Sequence, residues 1–208
     1  MTIVHTQAPA RSDVRSAVET APATADRPYL RHGRMLSAGA LAWATGFVFL
    51  GNGPEGELLN GIYFATALTF QIGLLALIRA LWLSRALGTG RLASGVLRLE
   101  ACLVGLAMMS STADAFGVAD IDQLGWALLD ACWPFSMLGM FFIGIRIAIA
   151  GRWHGLTRYW PMVAESWALV VIPSMFVFGQ TIGGHVIAPL HLVLGYGVLG
   201  VLVARKTD

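Results

Sequence analysis

Between Arg98 and Arg146 the chain carries no Lys or Arg at all. That gap holds an apolar run, a short acidic segment and a second apolar run. The acidic segment runs from Asp114 through Asp120 and Asp122 to Asp130, and so holds four of the twelve carboxylates. A stretch of this kind predicts a transmembrane hairpin whose tip faces away from the cytoplasm. The charge content agrees: only 12% of residues are charged and 56% are hydrophobic. Soluble domains carry about a quarter of their residues as Asp, Glu, Lys and Arg. Half of that cannot cover a water-facing surface of this size, so the expected solvent is largely lipid.

Six apolar runs are each long enough, or nearly so, to cross a core of roughly 30 Å at 1.5 Å per residue. They lie near 35–51, 60–83, 95–116, 124–149, 159–179 and 185–204. The expected fold is therefore all-α, a polytopic membrane protein of six transmembrane helices arranged as three hairpins, with both termini cytoplasmic. Residues 1–30 are rich in Ala, Thr, Ser and Pro with scattered charges, which predicts a disordered cytoplasmic tail. They lack the apolar core of a signal peptide. Residues 31–208 form the six-helix domain.

Charge placement sets the orientation. Arg27, Arg31 and Arg34 precede the first run. Arg85, Arg91, Arg152, Arg158, Arg205 and Lys206 fall on or beside the segments that the layout puts inside. Glu55, Glu57, Asp120 and Asp122 fall on the outer side without a neighbouring cation. This is the positive-inside pattern, and it predicts a bacterial plasma membrane protein oriented accordingly. Arg79, Arg85 and Arg91 recur with the spacing of Arg146, Arg152 and Arg158, an offset of 67 residues that suggests tandem hairpin repeats. Trp82, Trp126, Trp153, Tyr159 and Trp160 lie near the expected interfaces, where aromatic belts form. Gly51, Gly53 and Gly56 match G-x-G-x-x-G on paper, but a membrane helix precedes them where the dinucleotide fingerprint needs a strand. Cys102 and Cys132 fall in opposite halves of neighbouring helices, too far apart for a disulfide, and are expected as reduced, buried thiols. No basic patch with interleaved aromatics points to nucleic acid.

Ionisable residues at membrane depth mark candidate sites. An inner group comprises Glu100 and Glu165, each about two turns in, with Arg98, Arg146 and Arg79 from helix ends. Interhelical ion pairing is the expectation there, and a proton or ion relay through Glu100 or Glu165 is the sharper alternative. An outer group comprises Asp114, Asp130, His185 and His191, with Gln180 at the end of the fifth helix. Ser110 and Ser111 share a face with Asp114. A proline frees the carbonyl four residues earlier, so Pro134 would free that of Asp130 and Pro189 that of His185, while Pro173 would kink the fifth helix. Interrupted helix at membrane depth needs protein or a wet cavity around it. These features predict a polar pocket between helices 3, 4, 5 and 6, open to the non-cytoplasmic side, that holds a small solute or a proton.

The leading functional expectation is an integral membrane protein of transport or sensing type, with no cofactor. One alternative is a non-catalytic membrane subunit or scaffold, whose partner is another membrane protein or a second copy of the chain. The other is a metal-dependent membrane-embedded hydrolase. Its donors would be the two Asp and two His, but His185 and His191 stand six apart, off the i, i+4 spacing that shares a helix face. Small-residue pairs such as Ala42–Gly46 and Ala101–Gly105 fit close helix packing.

Overall fold

Without water in a bilayer core, every backbone N–H and C=O must find its partner within the chain, and an apolar run of twenty or more residues does so as helix. The computed structural model describes residues 27–51 and 53–207, the Gln180 side chain excepted. It contains six helices long and apolar enough to cross a membrane: α1 (Leu30–Leu50), α2 (Glu57–Leu83), α3 (Arg91–Ala115), α4 (Leu124–Ala150), α5 (Leu156–Gly179) and α6 (Gly183–Arg205). The chain is thus an all-helical, multi-pass membrane protein. Most of the expected tail lies outside the described residues. Within its described part, Tyr29 is already buried in the core and Leu30 opens α1.

Each helix packs on the next one in sequence, and α1 also packs along α6. Glycine makes the α1 contacts close. A Cβ at Gly39 would come within 2.6 Å of the Thr69 carbonyl oxygen and 2.8 Å of the Phe70 Cα on α2. A Cβ at Gly33 would overlap the backbone of Gly200 and Ala204 on α6. Ser37 reinforces this second seam by donating to the Gly197 carbonyl at 2.9 Å. In the sequence-flagged pair Ala101–Gly105, by contrast, a Cβ at Gly105 would meet nothing within 4 Å.

The two ends of the bundle are chemically distinct. The turn after α2, the segment between α4 and α5, the start of α1 and the end of α6 lie together at an arginine-rich end. There Trp153 donates its indole N–H to Ser84 at 3.0 Å, and Arg158 donates to the Ala148 carbonyl at 2.7 Å. The opposite, acidic end carries Glu55, Glu57, Asp120 and Asp122. Trp153 is 1% exposed and belongs to the core, whereas a place in an interfacial belt was expected. The cysteines are free as expected but not buried: Cys102 is exposed on the outside of the bundle and Cys132 is half-buried.

Helix interruptions depart from those expected at the prolines. α4 continues as one helix through Pro134. In α5 the first segment ends at Glu165 and the second starts at Trp167, while Pro173 lies inside the second segment, which bends at Gly179 (φ 73°). In α6 the backbone widens into π-turns over Gly183–Ile187 and Leu192–Gly197, on either side of Ala188–His191. A π-turn displaces carbonyls from their usual partners. Trp160 fills that deficit, its indole N–H lying 3.1 Å from both the Leu194 and Gly195 carbonyls.

Candidate functional site

The buried stripe of α3 runs Leu97, Glu100, Val104, Ala107, so a carboxyl occupies a core position of an otherwise apolar row. On α6 the stripe Leu192, Tyr196, Leu199, Val203 places a phenol in the same way. Glu165 closes the first segment of α5 and is 1% exposed. Glu100 stands nine residues from Arg91, Glu165 nine from Leu156, and Tyr196 nine from Arg205. At 1.5 Å per residue all three lie roughly 13 Å in from the arginine-rich end.

There they form one polar centre. Ser136 of α4, itself fully buried, donates to Glu100 Oε1 at 2.5 Å. The Tyr196 hydroxyl donates to Glu165 Oε2 at 2.7 Å. Glu165 Oε1 is buried without a hydrogen-bond partner. The two carboxyls lie within electrostatic reach of each other and of Tyr196. The ion-pair cluster expected of Glu100, Glu165, Arg98 and Arg146 takes a different form. Among the described residues both acids are held by hydroxyls and neither is in an ion pair. Arg98 instead sets its guanidinium 5.2 Å from the centre of the Trp82 ring. Arg146 is exposed, on the wall of a cleft between α3 and α4. The physical reason is reach: both arginines lie close enough to the bundle end to keep their charge in a wet layer. Burying them at the depth of the acids would forfeit that hydration.

One to two turns further toward the acidic end, aromatic rings fill the bundle. Trp43 of α1 stacks on Phe70 of α2 at 5.1 Å and on Trp167 of α5 at 5.8 Å, and meets Trp133 of α4 edge-on at 5.6 Å. Phe70 in turn packs edge-on against Tyr196 at 4.8 Å. By position along the helices these rings fall between the carboxyl centre and the Asp114–Asp130 pair, while His191 reaches the level of the centre itself, at the Ala164 carbonyl beside Glu165.

The outer residues do not gather into one group. Asp114 and Asp130 lie within electrostatic reach of each other, and Asn60 donates to the Asp114 carbonyl at 3.1 Å. His185 packs on Gly51 at the end of α1, in a groove lined by Leu41, Val48 and Pro189. His191 points to α5, where its Nε2–H donates to the Ala164 carbonyl at 3.0 Å, beside the break at Ser166. That bond directs His191 to the backbone of the neighbouring helix. Gln180 closes the second segment of α5, and its side chain lies outside the described residues. Among the described residues no group of three or more His, Cys, Asp or Glu side chains could hold a metal ion.

Sequence reasoning passed over Ser136, Tyr196 and Gln71, and placed Ser111 with Asp114. Gln71 is 2% exposed on α2 and donates to Ser111 Oγ at 2.9 Å, with its Oε1 unpartnered. A buried amide in a span of mean hydropathy 1.8 was a legible signal. Ser136 and Tyr196 were not legible, because a single Ser or Tyr in an apolar run is ordinary until its neighbour is known. Comparison with protein-family models, with curated proteins and with solved structures gave no match.

Proposed function

We propose that the chain is a bacterial plasma membrane protein of transport or sensing type that takes up a proton at the Glu100–Glu165 centre. In this reading the arginine-rich end, with both termini, faces the cytoplasm, and the six helices form three hairpins. The observation that carries it is a pair of carboxyls at membrane depth, within electrostatic reach of each other, held by Ser136 and Tyr196 and, among the described residues, in no ion pair. Two like charges in a medium of low dielectric constant repel strongly, so the pair is stabilised when one of the two carboxyls is protonated. Glu100 borders the cleft between α3 and α4, while Glu165 is enclosed. A proton arriving at Glu100 would pass to Glu165, whose Oε1 has no hydrogen-bond partner, through a water or side-chain movement that bridges the two. The aromatic layer above then acts as the barrier that a transport cycle must open. The outer carboxylates Asp114 and Asp130 are the exit side of that route.

The test is proton movement in liposomes carrying the full chain and an internal pH-sensitive dye, under an imposed pH gradient. Glu100→Gln and Glu165→Gln should each abolish movement while helical content and elution volume are unchanged. Movement equal to the native chain in both variants would reject the centre. A scaffold role is the second reading, favoured by α3: only 22% of its most apolar window is buried, and Leu92, Leu99 and Leu106 form an exposed row at seven-residue spacing. That role predicts a stoichiometric membrane partner in mild detergent, and tolerance of both Glu→Gln changes.

A further inference from the structure

We propose that the cleft between α3 and α4 binds a lipophilic organic cation, with Glu100 as its counter-charge. The inference rests on reading Glu100 as a functional carboxyl, and it adds the class of ligand. The cleft encloses about 510 Å³, within the range of sites that hold small molecules. Its walls are apolar, with Leu92, Val96, Leu99 and Leu103 from α3 and Phe142 and Ile143 from α4. Leu92, Leu99 and Phe142 are exposed on the outside of the bundle. In a bilayer that outside is lipid, so a ligand dissolved in the membrane enters sideways without crossing water.

The floor of the cleft is polar at one point. Glu100 is 3% exposed and lines it, with Oε1 engaged by Ser136 and Oε2 lying against Gly139. A Cβ at residue 139 would overlap Oε2, so the glycine is what lets the carboxyl lie against α4 at this place. The charged groups around Glu100 are Glu165 on α5 and Arg146 on α4, with the Tyr196 hydroxyl on α6. Arg146 is exposed and lies seven residues from Gly139, roughly 10 Å further along α4 toward the arginine-rich end. It guards the end of the cleft, not the floor. When Glu100 is ionised, its negative charge meets no cation at that depth among the described residues. A neutral lipophile would leave it so, and an anion would face it, whereas a monocation supplies the missing partner. Phe142 on the wall adds a ring face of the kind that attracts organic cations. When Glu100 is protonated, entry of the cation releases that proton to water at the arginine-rich end of the cleft, which couples ligand binding to the carboxyl pair.

The experiment is equilibrium binding of tetraphenylphosphonium to the purified full chain in mild detergent, with an uncharged tetraphenyl analogue as competitor. Saturable binding of one cation per chain is expected, without competition from the neutral analogue. Glu100→Gln should weaken binding roughly a hundredfold, the scale of losing one buried charge partner. Leu103→Trp, which fills the cleft and leaves the polar centre intact, should weaken it similarly and covers the case in which Glu100→Gln does not fold. Glu165→Gln should retain cation binding while losing proton movement. Absence of saturable binding, equal affinity in the folded Glu100→Gln or Leu103→Trp variant, or equal competition by the neutral analogue or by phospholipid would overturn the cation site. If the cation binds but the native chain moves no protons, the proton reading fails and the cation site stands.

Discussion

The same substitution at two glycines should have opposite consequences. At Gly39 an added methyl would sit 2.6 Å from the Thr69 carbonyl oxygen and 2.8 Å from the Phe70 Cα, where ordinary contact is 3.4–4 Å. Both obstacles are backbone, so no side chain can swing aside, and α1 must retreat from α2. A retreat of about 0.5–1 Å already forfeits a quarter to a half of the dispersion attraction across a contact. Here that contact includes the Trp43–Phe70 stack and the seam where Gly73 meets the Leu36 backbone. Overpacking of this sort costs about 1–3 kcal/mol. At Gly105 a methyl meets nothing within 4 Å. Replacing a mid-helix Gly by Ala also gains about 1 kcal/mol of helix propensity. That gain applies to both sites, so the difference between Gly39→Ala and Gly105→Ala isolates the steric part. It should be about 1–3 kcal/mol, or roughly five- to 150-fold in the folded-to-unfolded ratio. Reversible unfolding in mixed detergent–SDS micelles, followed by far-ultraviolet circular dichroism, measures it. Equal midpoints for the two variants, or Gly105→Ala the less stable of the pair, would refute the packing argument.

Three further outcomes follow from single hydrogen bonds. Tyr196→Phe removes the only donor to Glu165 among the described residues, and should lower stability by about 1.5–3 kcal/mol in the same unfolding assay; in the double variant with Glu165→Leu the two losses should not add, since both break one bond. Gln71→Leu removes an amide with one bond made and one atom unpartnered, so the midpoint should change by no more than about 1 kcal/mol in either direction. Trp153→Phe deletes the indole bond to Ser84 and should cost about 0.5–1.5 kcal/mol, with faster protease cleavage between Gly151 and Gly155.

The six spans could be read from the chain because lipid leaves the backbone so few choices. Once a run is apolar over twenty residues, helix is the only way to satisfy its peptide groups, and the described helices begin and end within a few residues of the runs. Helix irregularities were less legible. Proline marks where a hydrogen bond is missing, yet α4 passes Pro134 unbroken while α5 breaks at Ser166, next to the site where His191 takes the Ala164 carbonyl. The missing bond of a proline is local, but the decision to bend depends on what the neighbouring helix offers.

The candidate site divides in the same way. Glu100 and Glu165 stood out in the sequence because a carboxyl amid Leu, Val and Ala is costly wherever it points. Their partners did not: Ser136 is 36 residues from Glu100, and Tyr196 is 31 from Glu165. The histidines drew attention for their chemistry, and rotation about α6 then sent His185 to α1 and His191 to α5. Composition and charge order thus settled the membrane class, the number of spans and which acids sit deep, since transfer into lipid depends on each residue separately. Only the three-dimensional packing decided which deep groups meet, because that turns on helix rotation and on where a glycine lets two backbones touch, as Gly39 does on α2 and Gly139 does under Glu100.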